Sequence, residues 1–425
     1  MDKAKVLVLG SDYGTVEIVK ALRKNGYYSI VADYYETTPT KKLADESWTI
    51  STTAIDEIEL KCKENNVAAI ITGAADFNIK NSRELCKRLN LPVYCSNDFA
   101  YEVSTNKYLF KKICKEVDAP IATDYHLNDD LRDEDIEKIK FPVVVKPVDK
   151  SGNKGMSYCS NKEQLIIAYK KARESSDNAQ IIVERQLHGP EFAVNYVIAN
   201  GEPRLFFFSS EHHQPDKPAN LYSVIITTTH HLNQYISQVN EKVIDVFKHA
   251  GLTEGVAWVE CMLDDDGKFY LLEMGYRFGG EVVNIPYKDV SGFDSIDWVI
   301  ECALGKEHNS CDLPKAEYNY SSVAVSYLLF AEKDGVIGKI EGLEQIANIP
   351  GVLVDVPKQI GQKANKYATM GVIRFAAKDA REACEIIQKV NSLLKIESVD
   401  GDNLVIYFDD FKGVISEYEK ANGKL

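Results

Sequence analysis

The stretch GVAWVECMLDDDGKFYLLEMG (255–275) constrains this chain more than any other part of it. Two alternating runs flank Asp266-Gly267, the strongest short signal for a hairpin closed by a two-residue type I′ turn. Such a turn sets the register: Asp265 faces Lys268, Leu263 faces Tyr270, and Glu260 faces Glu273. Directly opposed residues hold their Cβ atoms roughly 4.5–5.5 Å apart, and like charges so placed repel. Either both glutamates point into water, or something positive lies between them. Their neighbours Trp258, Met262 and Leu271 are apolar, which favours a shared hard cation with oxygen ligands, Mg²⁺ in a cell.

The rest of the chain predicts a mixed α/β and α+β protein. Between Lys5 and Tyr94, VLVLG (6–10), SIVAD (29–33), VAAIIT (67–72) and PVY (92–94) read as strands separated by helices, the pattern of parallel βαβ crossovers. GSDYG (10–14) lacks G-x-G-x-x-G, so a turn serving the fold is favoured over a dinucleotide site. From Phe141 the pattern changes to hairpins, with FPVVVKP (141–147), QIIVER (180–185), EFAVNYVI (191–198) and RLFFF (204–208). A helix is expected over Asn233–Ala250. Past Leu313 come glycine-punctuated strands, a helix near 380–394 and a strand NLVIYF (403–408). These shifts place domains at 1–97, 98–312 and 313–425.

A chain of 425 residues with formal charge −14 is a poor phosphate-backbone binder, so no nucleic-acid partner is expected. No apolar run reaches the ~20 residues of a membrane span. Nine cysteines without a C-x-x-C pair read as reduced thiols, and the N-terminus lacks a signal-peptide pattern, so a cytoplasmic protein is expected. The histidines show no second ligand pair at standard zinc spacing.

Two further segments carry chemistry. Lys146 ends a buried strand and precedes Ser151, Gly152, Lys154 and Gly155, a loop able to bring backbone N–H groups and lysines to a polyphosphate. A surface hairpin is the alternative. VERQLHGPEF (183–192) sets Glu184 and Glu191 around a Gly-Pro turn, either as acceptors for a ligand or in water.

Taken in order, Lys107, Lys146 with its loop, E-x-x-x-x-G-P-E and the paired glutamates followed by Arg277, Gly279 and Gly280 resemble the ATP-grasp superfamily. Over roughly 100–305 the spacing is similar to D-alanine–D-alanine ligase and biotin carboxylase. GVIGKIEG (335–342), IPGV (349–352), IGQK (360–363) and TMGVIRF (369–375) resemble the capping region of L-amino acid ligases and biotin carboxylase. The resemblance implies an ATP-grasp fold: an N-terminal parallel α/β domain, a central grasp with antiparallel sheets and a C-terminal capping domain.

It also implies ATP and Mg²⁺ as cofactors. Lys107 and Lys146 would contact phosphates under a lid at 151–155. Glu184 and the backbone of Arg185, Gln186 and Leu187 would hold adenine, and Glu191 the ribose. Glu260 and Glu273 would be metal ligands, and Arg277 with Glu273 catalytic. The implied reaction phosphorylates a carboxylate and passes the acyl group to an amine, with an amino acid among the substrates and a homodimer as the assembly. Bicarbonate activation and a non-catalytic ATP sensor are the alternatives. His212 and His213, in a segment with Glu211, Tyr222, His230 and His231, are substrate candidates, as are Tyr276, Gly279, Gly280 and Glu281. Adjacent histidines on a strand should face opposite ways. One departure stands out: the family's asparagine after the second glutamate, usually a metal ligand, is Gly275.

Overall fold

The computed structural model describes residues 3–149, 155–177, 180–218, 221–280, 282–316, 318 and 321–421. Four parallel strands lie in the order Glu46–Thr49, Tyr28–Asp33, Lys5–Leu9 and Val67–Thr72. Both faces of this sheet are covered, as parallel sheets require. Leu7 and Leu9 pack with Trp48, Ile58 and Leu85 on one side, and Val6 and Val8 with Phe206, Trp298 and Ile300 on the other. The second packing seats the N-terminal sheet on the rest of the molecule. The segment 92–94, expected as a strand, is irregular. Pro92 has no N–H for a ladder, and the Tyr94 ring sits where a side chain at Gly255 would be.

GSDYG is explained by packing at the end of this sheet. Asn78 donates to Asp12 at 3.1 Å. A Cβ at Gly73 would lie 1.8 Å from the Asp12 carboxylate, and one at Gly10 would lie 2.2 Å from the Asn78 amide. Burial pushes Asp12 up to about 6, against the hydrogen bonds from Asn78 and Ala75. A carboxyl raised in the folded state stabilises when protonated, so its contribution is complete below about pH 4 and lost as pH rises through 6. The shift of about two units corresponds to roughly 3 kcal/mol at most. Denaturant unfolding of Asp12→Asn beside the wild type should therefore show the wild type falling behind the variant between pH 4.5 and pH 7.5. Parallel curves would contradict this account.

A second sheet has nine strands, whose main path runs Phe269–Gly275, Gly255–Leu263, Glu191–Ala199, Glu202–His213, Tyr222–Thr227, Val323–Ala331, Thr369–Ala377 and Leu353–Asp355. All its pairings are antiparallel. A four-stranded antiparallel sheet of Asp124–Tyr125, Ile181–Arg185, Val143–Pro147 and Ser157–Cys159 faces it across a cleft. The helix expected over 233–250 forms as Leu232–Tyr235, a π-turn Ile236–Asn240 and Glu241–Ala250. The strand expected at 403–408 is reduced to Val405–Ile406. Buried Arg374 joins the C-terminal strands to the first helix, lying 3.2 Å from Glu17 and 3.4 Å from Asp355. Among the described residues no helix is long and apolar enough to cross a membrane.

Candidate active site

The hairpin over 255–275 puts the two glutamates opposite each other by a route different from the expected one. Its loop has three residues: Gly267 donates to the Asp264 carbonyl at 2.9 Å, and Asp264 N–H meets the Lys268 carbonyl at 3.0 Å. Gly267, at φ +76, takes the left-handed position that closes a three-residue loop. Leu263 therefore pairs with Phe269, one residue off the expected register. An irregularity between Glu260 and Cys261, with Leu272 as the extra residue, restores the count, and Glu260 faces Glu273. Bulges of this kind re-aim side chains. Without it the parity of the strand would send Glu273 to the opposite face.

Both glutamates line a cleft of about 1420 Å³ between the two antiparallel sheets. The floor is a grid set by strand pairing. Glu211 lies beside Glu191 and Glu191 beside Met262; Ala193 lies beside Glu260 and Glu260 beside Glu273; Asn195 lies beside Trp258 and Trp258 beside Gly275. Lys107, at the start of the helix Lys107–Glu116, ion-pairs with Glu273. Burial opposes ionisation of Glu273, but Lys107 outweighs it and holds the carboxyl below its usual range. Glu191 accepts from the Tyr222 hydroxyl. Burial, reinforced by the charge of Glu273, pushes Glu191 up to about 7. Glu191, Glu260 and Glu273 place carboxylate oxygens close together on one wall, a donor set of hard oxygen ligands. That chemistry fits a hard divalent cation held by Glu260 and Glu273.

Across the cleft Lys146 lies 2.5 Å from Glu184, which also pairs with Lys111. Burial alone would raise Glu184, yet the two lysines hold it at about 2. Lys111, buried at 2% exposure, was not a candidate in the sequence, where it reads as one of several helix lysines. Arg185, Gln186 and Leu187 line the same wall, and Arg185 is held by Asp264 at 2.7 Å. Gly155 turns against Pro147 and Ser175, while Met156 reaches the cleft. Ser151, Gly152, Lys154 and Glu281 lie outside the described residues.

Arg277 forms a fork with Asp76, at 2.5 and 3.1 Å, and stacks over Trp258 at 5.1 Å from the ring centroid. Asp76 opens the helix Asp76–Leu89 after the fourth parallel strand, so docking of the N-terminal sheet delivers this partner. Local sequence carries no sign of it. Gly275 also acquires a reason. A Cβ there would lie 2.3–2.5 Å from three atoms of the Trp258 indole, the residue directly across the strand pair. The aromatic ring fills the space an asparagine side chain would need.

Some candidates are relocated. Tyr276 does not reach the cleft: successive side chains alternate, so with Arg277 inward Tyr276 points to the core. There its hydroxyl donates to the Glu254 carbonyl at 2.7 Å and lies 3.0 Å from the Tyr94 carbonyl. Gly280 lines the cleft; buried Gly279 accepts from Val282 instead. His212 and His213 both line the cleft, contrary to simple alternation, because the register shifts between them. His212 is 3.0 Å from Ser210 Oγ and 3.6 Å from Glu417, and burial pushes it down to about 4. The His230 and His231 rings lie 3.8 Å apart at a tilt of 44° and are not part of the lining, whereas Tyr222 is. The C-terminal region adds Tyr367, Thr369, Asp410 and Glu417 to the wall, none of them suggested by sequence pattern.

Residues 139–285 match the family profile of the ATP-grasp domain. The carbamoyl phosphate synthase large chain of Clostridium perfringens (strain SM101 / Type A) is 25% identical over 325 residues, 72% of this chain. That alignment covers 30% of the synthase, so this chain spans under a third of that relative's length. The L-amino acid ligase from Bacillus licheniformis superposes with a TM-score of 0.75 at 20% identity, covering 94% of this chain and 99% of that one. The biotin carboxylase domain of Hydrogenobacter thermophilus 2-oxoglutarate carboxylase, solved with MgADP, ADP and bicarbonate, superposes with a TM-score of 0.75 at 17% identity. It covers 99% of this chain and 95% of that domain.

Proposed function

We propose that this chain, an ATP-grasp protein, is an ATP-dependent ligase that activates a carboxylate as an acyl phosphate and transfers the acyl group to an amine. The observation that carries the reading is the convergence, in one cleft, of the opposed Glu260 and Glu273 with Lys107, Lys146 and Arg277. Phosphoryl transfer needs little covalent help from protein. It needs in-line positioning and positive charge at the phosphate oxygens. Lys107 and Lys146 supply point charges there, and a divalent ion on Glu260 and Glu273 would neutralise charge developing on those oxygens. Arg277 offers a planar fork suited to the two oxygens of a carboxylate. Closure of the cleft would keep water from the acyl phosphate.

An amino acid suits the substrate end because Asp76 and Arg277 present both signs of charge at one point. Substrate carboxylate would compete with Asp76 for the guanidinium, leaving Asp76 to accept from an ammonium group. Nine free thiols suit a reducing, cytoplasmic setting. The test is phosphate release from ATP and Mg²⁺ with amino acids offered singly and in pairs, and bicarbonate in a separate arm. Release stimulated by a particular pair supports the ligase. Release stimulated by bicarbonate alone would replace it with a carboxylating activity, and ATP binding with no stimulation by any acceptor would favour a sensor.

A further inference from the structure

We propose a zinc site remote from the cleft, formed by Glu254, Cys302 and His308. Cys302 lies in the last turn of the helix Ser295–Ala303, and the chain turns back through Gly305, at φ +77, to bring His308 beside it. His308 is buried at 3% exposure and stacked on Trp298, with ring centroids 3.8 Å apart and planes 20° from parallel. Glu254 comes from the turn that opens the strand carrying Glu260. Three ligand atoms, Cys302 Sγ, His308 Nδ1 and Glu254 Oε2, lie within 4.8 Å of one another.

The hydrogen bonds around the group leave it incomplete. His308 Nε2 is 2.9 Å from Glu301, a distance that assigns the ring proton to Nε2 and leaves a lone pair on Nδ1. That lone pair faces Cys302 Sγ at 3.7 Å, a weak thiol hydrogen bond that a metal would replace, and Glu254 Oε2 at 3.5 Å. A charge-assisted N–H···O bond runs about 2.7–2.9 Å, so 3.5 Å is too long for a histidinium bound to Glu254. Glu254 Oε1 accepts from Asn200 N–H at 3.0 Å, whereas buried Oε2 has no hydrogen-bond partner.

The spacing is that of ligands around a common ion. Zinc bonds of about 2.3 Å to sulfur and about 2.0–2.1 Å to nitrogen and oxygen, at tetrahedral angles, put sulfur and nitrogen about 3.6 Å apart and nitrogen and oxygen about 3.4 Å apart. The observed 3.7 and 3.5 Å match both edges. Thiolate, imidazole and carboxylate form a donor set for zinc rather than magnesium. Glu301 on Nε2 is the carboxylate that fixes the tautomer of a metal-bound histidine, and Lys306 holds Glu301 at 2.7 Å. Water would complete the coordination on the side where the Glu254 side chain remains 25% exposed. Sequence spacing could not reveal the site, because Glu254 lies 48 residues before Cys302 along the chain. The ion would tie the 302–308 turn to the root of the strand bearing Trp258 and Glu260.

The full-length protein, freed of metal by chelator dialysis, is titrated with Zn²⁺, desalted and analysed for retained metal and thermal midpoint. Retention of about one zinc per chain with a raised midpoint is expected. Co²⁺ in its place should give the thiolate-to-metal charge-transfer absorption of a tetrahedral site. Cys302→Ser should abolish that band, and Glu254→Gln, a milder change at the exposed side, should weaken retention by about 10-fold or more. Glu273→Gln should retain zinc, which separates this site from the cleft carboxylates. A folded wild type that retains no zinc, a cobalt spectrum without sulfur, or retention lost only in Glu273→Gln would overturn the proposal.

Discussion

Glu273→Gln lowers substrate-stimulated ATP turnover by roughly 10²- to 10³-fold, the range expected when one charged contact to developing transition-state charge is removed. The side chain keeps its shape, and the loss comes from charge. Glu273 faces Glu260 across the strands and is the partner of Lys107, so on the proposed reading the carboxylate would both anchor a cation and orient a lysine. The thermal midpoint should change little. Neutralising one member of the Glu191, Glu260 and Glu273 group relieves like-charge crowding, which offsets the lost pairing with Lys107. Turnover in single-turnover mixing and the midpoint by calorimetry check both halves. A variant that loses stability and activity together would mean that Glu273 is structural, and unchanged turnover would remove it from the chemistry.

Placing at 275 the asparagine that the ATP-grasp resemblance leads one to expect destabilises the protein instead of improving metal binding. Even a Cβ at that position lies 2.3–2.5 Å from the Trp258 indole, well inside contact distance, so the ring must leave its place over the strand pair. Overpacking of this sort costs about 1–3 kcal/mol. Trp258 is 7% exposed and supports Arg277, so the displaced ring also unseats the guanidinium. Trp258→Ala alone costs about 3–5 kcal/mol through the cavity it leaves. In Gly275→Asn/Trp258→Ala the new side chain enters the vacated space, and the double variant is less damaged than the sum of the singles by about 1 kcal/mol or more. Denaturant melts of the four proteins measure that coupling. Additive losses would show that Gly275 is glycine for a reason other than Trp258.

Much of the site was legible because strand physics is local. Alternation and a glycine turn pointed to two opposed glutamates, but through a two-residue turn that does not form; the loop is one residue longer, and the pairing is recovered only by a bulge that the sequence did not announce. The same alternation, applied to Tyr276 and Arg277, could have excluded the tyrosine from the cleft. It failed at His212 and His213 because a register shift, which no residue type announces there, turns both toward the cavity.

What the sequence by itself determined is therefore the set of elements: parallel strands separated by helices, antiparallel hairpins after Phe141, and the charged residues at their ends. These follow from side-chain period and turn chemistry within a few residues of each position. Only the tertiary structure decided the partners. Asp76 meets Arg277 across 201 positions, Lys111 meets Glu184 across 73, and Glu254 meets His308 through a turn in a separate segment. Trp258 closes over Gly275 because two strands lie in one register. Such contacts depend on how whole surfaces pack, and packing responds to the sum of many buried side chains, which no short stretch of the chain encodes.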